Sequence, residues 1–332
     1  MQKILKSLVK TIPIISLAFP ILLLYYWDPS SFEHTWQGRT FYLSFVWLIS
    51  LETVLDWEKL HFNFTLKKSF KGFLKAFLFA LAVAAPTIYI TVSNHYGLNS
   101  WIANVAKQYV LNCNPKFFKN NSFDYFANIL PISIELLVLT LLFCLIVLLA
   151  YGIKNLPVFS GSIFFLGVMG FLFVIDDLYP GGKFTPLQML VPVTAFFAAR
   201  LLELFGYTTT VTEAYYRIYG RVSVLKVNKI PLFGIGWICA GVESLVIYTI
   251  VIFLFLKKSD ITTKRKIFYF VTGAAVTYFL NILRIFTLAI IKLSGGDIWP
   301  FHNFYGQFYS ITWITMYPLI IVGVEKILGR KS

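Results

Sequence analysis

The stretch Gly236-Trp237-Ile238-Cys239-Ala240-Gly241-Val242-Glu243-Ser244 sets a thiol four residues before a carboxylate, where a strongly apolar run begins. A second apolar run, VTGAAVTYFLNILRIFTLAIIKL, carries Asn281 and Arg284 three residues apart, a spacing that puts both on one helical face. Beyond it, the segment SGGDIWPFHNFYGQ brings His302, with Gly306 four residues on. A thiol, an imidazole with an unperturbed pKa of about 6.5 and a fixed cation are the parts needed for acyl transfer through a cysteine. In that chemistry Cys239 is the nucleophile and His302 carries the proton as general acid and base. Arg284 stabilises the tetrahedral oxyanion.

Each part has an ordinary explanation when taken alone. A cysteine near a helix end usually packs, an arginine near one can snorkel to headgroups, and a loop histidine is usually just solvated. Cys144, in the middle of a Leu- and Phe-rich run, is the packing case, and its thiol should be inert. His34, His61 and His95 read as ordinary residues. What joins the three candidates is their placement in a membrane.

The 332 residues are 58% hydrophobic and 18% aromatic, with a mean hydropathy of +0.73. A soluble protein of this size could not hide so much apolar surface, so the expected class is an all-α polytopic membrane protein. Runs long enough to cross are 11–27, 41–57, 73–92, 130–151, 158–175, 237–256, 267–292 and 307–328. A ninth run, 186–205, carries Gln188, Pro192, Arg200 and Glu203 and reads as an amphipathic helix on or dipping into the outer face. The N-terminal MQKILKSLVK resembles the start of a signal peptide, but no small-residue cleavage site follows, so the first span reads as retained. The chain is expected to form a single integral membrane domain across 1–332.

The net charge of +14 lies in short loops between apolar runs, which is the pattern of inside-facing loops and not of a nucleic-acid-binding face. Lys3, Lys6 and Lys10 place the N-terminus inside, as do Lys59, Lys67, Lys68 and Lys71 for the second loop and Lys154 for the fourth. Lys257, Lys258, Lys264, Arg265 and Lys266 follow suit, as do Lys326, Arg330 and Lys331. Eight spans then leave 28–40, 93–129, 176–236 and 293–306 outside. The sequon Asn120-Asn121-Ser122 falls in one of these outer segments. Within another, 207–230 is rich in β-branched and aromatic residues around Tyr219-Gly220 and reads as a β-hairpin or a polar loop leading to Gly236.

On this topology Cys239 lies in the first turn of an outer helix end, where unpaired N–H groups and the helix dipole would bias it toward thiolate. Arg284 lies about 17 residues into its run, roughly 25 Å from the inner end at about 1.5 Å per residue. A cation at that depth costs roughly several kcal/mol unless it faces a wet or paired site. Asn281 could orient it. Glu243, one turn after Cys239, reads best as a bidentate partner for Arg284, because a second anion beside a thiolate would oppose its formation. Asp176, Asp177 and Asp297 sit among turn formers. Three scattered cysteines, Cys113, Cys144 and Cys239, offer neither a disulfide framework nor a C-x-x-C zinc pair.

At these residues the sequence resembles the exosortase/archaeosortase family of membrane cysteine transpeptidases. The shared pattern is Cys-x-Gly at Cys239 and Gly241, Asn-x-x-Arg at Asn281 and Arg284, and His-x-x-x-Gly at His302 and Gly306. Pro186-Leu187-Gln188 and the strand-like lead into the cysteine are also similar to the family, and the likeness covers about 130–328. The Cys-Ala-Gly form, with Ser244 following, looks most like the archaeal members, and the Lys-, Ile-, Phe- and Asn-rich composition is similar to the thaumarchaeal branch. The resemblance implies that exported proteins bearing a short C-terminal motif, a transmembrane helix and a basic tail are cut through a thioacyl intermediate on Cys239. The chain would then pass to an amine, with a membrane lipid as the expected acceptor, and no metal or organic cofactor is implied. The rival reading is a transporter or channel that uses Arg284, Asn281 and Glu243 for an anion or proton. It would spread polar groups through the bilayer depth, whereas here they gather at one face. A metal-dependent glycosyl- or phosphotransferase would need more than Asp176-Asp177. H-E-x-x-H and G-x-S-x-G are absent.

Overall fold

A computed structural model describes residues 10–32, 38–62, 70–113, 122–178, 186–216 and 220–329. The sequon asparagines, His34 and the basic residues Lys3, Lys6, Lys67, Lys68, Arg330 and Lys331 lie outside the described residues. The fold is mostly helical with one small sheet, and the chain divides after Leu178 into two compact units.

The first unit is all helical: α1 (Ile12–Trp27), α2 (Thr40–Leu55), α3 (Phe70–His95), α4 (Leu98–Cys113), α5 (Ser122–Tyr151) and α6 (Ser160–Leu178). Its polar centre is Arg39, 2% exposed, whose Nε and Nη2 donate to the two oxygens of the fully buried Glu135 at 3.0 and 3.2 Å. Nη1 reaches Asp28 at 3.0 Å and Ser31 at 3.2 Å, Nη2 also reaches Asn94 at 2.8 Å, and Tyr42 donates to Glu135 at 2.7 Å. Buried Glu52 accepts from the backbone N–H groups of Gly161 and Ser162, capping the start of α6. Helix α4 departs from the outer loop expected over 93–129. Its sequence, LNSWIANVAKQYVLNC, is too polar to stand out as an apolar run.

The second unit holds α7 (Leu190–Leu204), the strands β1 (Thr209–Tyr216), β2 (Gly220–Val227) and β3 (Ile230–Ile235), then α8 (Val242–Lys258), α9 (Thr263–Leu293) and α10 (Gln307–Gly329). The strands form an antiparallel sheet in the order β1-β2-β3. The expected hairpin is present, pairing Thr209 with Val227 through Tyr216 with Gly220. The lead toward Gly236 becomes a third strand, joined through Asn228 and Lys229, which both adopt positive φ (51° and 68°) as a tight two-residue hairpin turn requires. Helix α7 forms where the amphipathic run was expected. It buries Val191, Thr194, Ala195, Ala198, Ala199 and Leu202 at helical spacing, packed on β1, β2 and α9.

Among the described residues five helices are long and apolar enough to cross a membrane: Gly72–His95, Leu130–Tyr151, Ile153–Ile175, Thr263–Leu293 and Phe308–Leu328. Each matches a run read from hydropathy. Helices α1 and α2 are apolar but 16 residues long, and α8 has 17. The chain is a multi-pass membrane protein.

Helix α9 organises the second unit. Its 31 residues contain no proline, and Tyr269, Gly273, Thr277, Asn281 and Ile285, spaced by four, fall on its buried face. Lys264, Arg265 and Lys266 in its first turn oppose the helix dipole, so packing must hold that end in place. The packing converges on Gly273. Tyr248 of α8 donates to the Phe270 carbonyl at 2.8 Å, and Tyr317 of α10 donates to the Tyr269 carbonyl at 2.7 Å. A Cβ at Gly273 would collide with the Tyr248 hydroxyl and the Tyr317 ring. Gly273→Ala should therefore destabilise the protein by about 1–3 kcal/mol, as overpacking does. Thermal unfolding of the detergent-solubilised chain measures this, and an unchanged midpoint would show that the three helices are not locked there.

Candidate active site

The chain reaches Cys239 by leaving β3 through Gly236. A 3₁₀ turn, Trp237–Ala240, then carries the thiol, and Gly241 at φ +90° turns the backbone into α8. Cys239 therefore precedes the helix and does not sit in its first turn as expected. Asn281 and Arg284 lie on α9, two-thirds of the way along. His302 sits in the π-helical turn Phe301–Tyr305 that leads into α10, with its N–H bonded to the Ile298 carbonyl at 2.8 Å.

Two hydrogen bonds draw these segments together. Asn281 Nδ2 donates to the Cys239 carbonyl at 3.1 Å, and Arg284 Nη2 donates to the His302 carbonyl at 2.8 Å. Both donors stand on one face of α9, and each grips the backbone of one of the other two candidates. Asn281, 1% exposed, thus orients the cysteine turn and not the guanidinium.

The two motif glycines allow this approach. At Gly241 an added Cβ would sit 3.0 Å from the Asn281 side chain, in a left-handed conformation that L residues adopt rarely. At Gly306 it would sit 2.8 Å from Arg284 Nε and 2.9 Å from the Phe301 carbonyl. Ser244 donates to Ser310 at 2.9 Å, tying α8 to α10 beside the site.

Cys239 and His302 line one cavity of about 450 Å³, walled by β3 and its exit on one side and by Ile285 and Leu288 of α9 on the other. The exposed Trp299 meets the His302 ring edge-on, with centroids 5.9 Å apart. Among the described residues there is no direct Cys239–His302 hydrogen bond, and Arg284 does not line the cavity. The ion pairs found among the described residues do not include Arg284 with Glu243. Arg284 Nε is buried without a hydrogen-bond partner.

The electrostatics differ from the thiolate bias expected of a helix terminus. Burial pushes the Cys239 thiol above its ordinary pKa, Arg284 and a backbone hydrogen bond from Gly236 pull it down, and Glu243 pushes it up. Burial and then Arg284 lower His302 below the usual imidazole value. At neutral pH the resting pair is a thiol and a neutral imidazole able to accept a proton.

The remaining described candidates do not line this cavity. Cys144 is on α5 in the first unit, where Asp177 is buried and accepts from Ser133 at 2.5 Å. His61 bonds its own turn at Lys59, and His95 packs on Trp27. Asp297 accepts from the Trp299 N–H at 3.1 Å, a turn as expected. No group of three or more His, Cys, Asp or Glu with metal-ligand placement occurs among the described residues.

An α-helical membrane unit whose longest span holds a cysteine turn and a histidine turn by their carbonyls is thus the class that fold and site define. Across residues 122–319 the chain matches the family described as "Transmembrane exosortase". That is more than half of the sequence and includes all seven motif and supporting residues, so the protein belongs to the exosortase family. No curated protein and no solved structure matches the chain.

Because Arg284 lowers the Cys239 pKa, Arg284→Gln should raise the pH at which Cys239 becomes an alkylatable thiolate. Iodoacetamide labelling of the Cys239 peptide across pH, read by mass spectrometry, tests this. A midpoint unmoved by the substitution would separate the cation from the thiol.

Proposed function

We propose that this protein is a sorting transpeptidase of archaeal type, with features of the thaumarchaeal branch, acting on exported proteins that end in a short motif, a transmembrane helix and a basic tail. The observation that carries the reading is that Cys239 and His302 line one cavity while Asn281 and Arg284, on one face of α9, hold both backbones.

In the proposed reaction His302 takes the thiol proton as Cys239 sulfur attacks the scissile carbonyl. The tetrahedral oxyanion forms near the fixed charge of Arg284. The intermediate collapses to a thioester, and His302 returns its proton to the leaving amine, which departs with the helix and basic tail. An amine acceptor, on a membrane lipid, then attacks the thioester, gives a proton to His302 and regenerates the thiol. Glu243, which raises the thiol pKa, restrains thiolate formation at rest. The charge pattern supports eight crossings, with α1, α2 and α8 completing the set, both termini cytoplasmic and the site at the extracytoplasmic face of the cell membrane. We read residues 1–332 as one integral membrane domain.

The decisive experiment co-expresses the protein with a tagged substrate carrying motif, helix and basic tail, and follows tail loss by gel mobility. Cys239→Ala should leave the tail uncut while Cys144→Ala cuts normally. Normal processing by both mutants would overturn the reading and turn attention to transport. In the same assay Gly306→Ala should slow cutting by about 10- to 100-fold, the cost of displacing Arg284 and the histidine turn by a fraction of an ångström to an ångström. Wild-type rates from Gly306→Ala would show that their placement is not critical.

A further inference from the structure

Strand β3 lies at the edge of the sheet, with β2 as its one neighbour. Among the described residues its backbone makes no hydrogen bond outside the ladder. Such an edge is a template for another strand. The end of β3 borders the cavity that holds Cys239 and His302. Side chains alternate faces along a strand, so a cavity against one face would meet every second residue. Here the consecutive residues Phe233, Gly234, Ile235 and Gly236 all line it. Phe233 and Ile235 share one face, and Gly234 and Gly236 have no side chains to shield their backbone. Val222 of β2 lines it as well, so the cavity lies over the end of the ladder, where Ser223 pairs with Ile235, and reaches the main chain of β3 there. Three residues beyond Gly236 comes the thiol.

Resting on the function proposed above, we infer that β3 is the substrate-docking strand. The substrate segment beside the scissile bond adds to its free edge as a fourth strand, and one side chain of that segment enters the apolar cavity between β3 and α9. Main-chain pairing supplies affinity and register, and the pocket supplies selectivity, as in other strand-addition complexes. A volume of about 450 Å³ takes a side chain and its flanking backbone. A lipid tail could fill the apolar part but has no groups to pair with a row of peptide N–H and C=O. An extended polypeptide does, and docked this way its carbonyl is carried toward Cys239.

Gly236 gives a clean test. Its backbone is extended (φ −91°, ψ 172°), and a Cβ there meets no atom within 4 Å, so Gly236→Val fits the fold while filling the cavity. The full-length protein in detergent is given a synthetic substrate spanning the cleavage site, with its amides replaced one at a time by esters. Acyl-enzyme formation and tail release are followed separately. Gly236→Val, with an unchanged unfolding midpoint, should form acyl-enzyme at least about tenfold more slowly. Esters at alternate positions should each cost about two- to tenfold, the worth of one hydrogen bond. If wild type cuts the substrate but Gly236→Val and every ester are indifferent, the docking strand is wrong and the function stands. Normal acylation with failed transfer in Gly236→Val gives the cavity to the acceptor and overturns the inference. A wild type that cuts nothing overturns the proposed function and this inference with it.

Discussion

Two hydrogen bonds from one face of α9 hold the second unit's cysteine and histidine turns in place: Asn281 to the Cys239 carbonyl and Arg284 to the His302 carbonyl. Cys239 and His302 belong to turns 63 residues apart in sequence, and nothing local forces those turns to meet. A helix can bring them together because residues three apart project side by side with little freedom. Much else in the unit follows from keeping that face still. Helix α9 is long and lacks proline, and α8 and α10 lock onto it at Gly273 through tyrosine hydroxyls. Gly241 and Gly306 stand where any side chain would push the donors off their carbonyls.

The electrostatics of the site also follow from that placement. Burial alone favours an uncharged thiol and an uncharged imidazole, since taking either ion out of water is costly. Arg284 lowers both pKa values, which helps the thiolate but hinders the imidazolium. A preformed thiolate–imidazolium pair is therefore not the resting state. In the proposed reaction the proton moves as sulfur attacks, when negative charge is passing from thiolate to oxyanion and a fixed cation acts on both.

How much of this was legible in the sequence depended on range. Helical runs and the hairpin are local patterns, and the five span-length helices and β1–β2 lie where hydropathy and turn chemistry placed them. Residues 122–319 match the family that the motifs suggested. The turn from β2 to β3 was less visible because Asn228-Lys229 lacks the usual glycine. Helix α4 was hidden by its polarity. The start of α8 was misjudged because hydropathy does not register a 3₁₀ turn or a left-handed glycine. The partners of Asn281 and Arg284 were out of reach altogether. Spacing shows which residues share a face, but both donors turned to backbone carbonyls of distant turns, and a carbonyl is present at every position in any sequence.

The buried Arg39 and the half-buried Arg284 differ in how far their donors are satisfied. Arg39 spends its guanidinium completely: Nε on Glu135, Nη1 on Asp28 and Ser31, Nη2 on Asn94 and Glu135. A buried charge is tolerable when its partners are that complete, and removing one of them costs about 3–5 kcal/mol. That saturation binds α5, within the family match, to helices outside it, and leaves the cation nothing further to do. Among the described residues Arg284 is held by one hydrogen bond to the His302 carbonyl, with Nε buried and unpartnered. An unspent buried donor is a standing cost to stability, and such costs persist where a group is needed for something besides the fold. In the proposed reaction that need is the negative charge that appears on Cys239 sulfur and then on the substrate's carbonyl oxygen. In that reading the under-bonded arginine serves the proposed reaction, while the saturated one serves the framework.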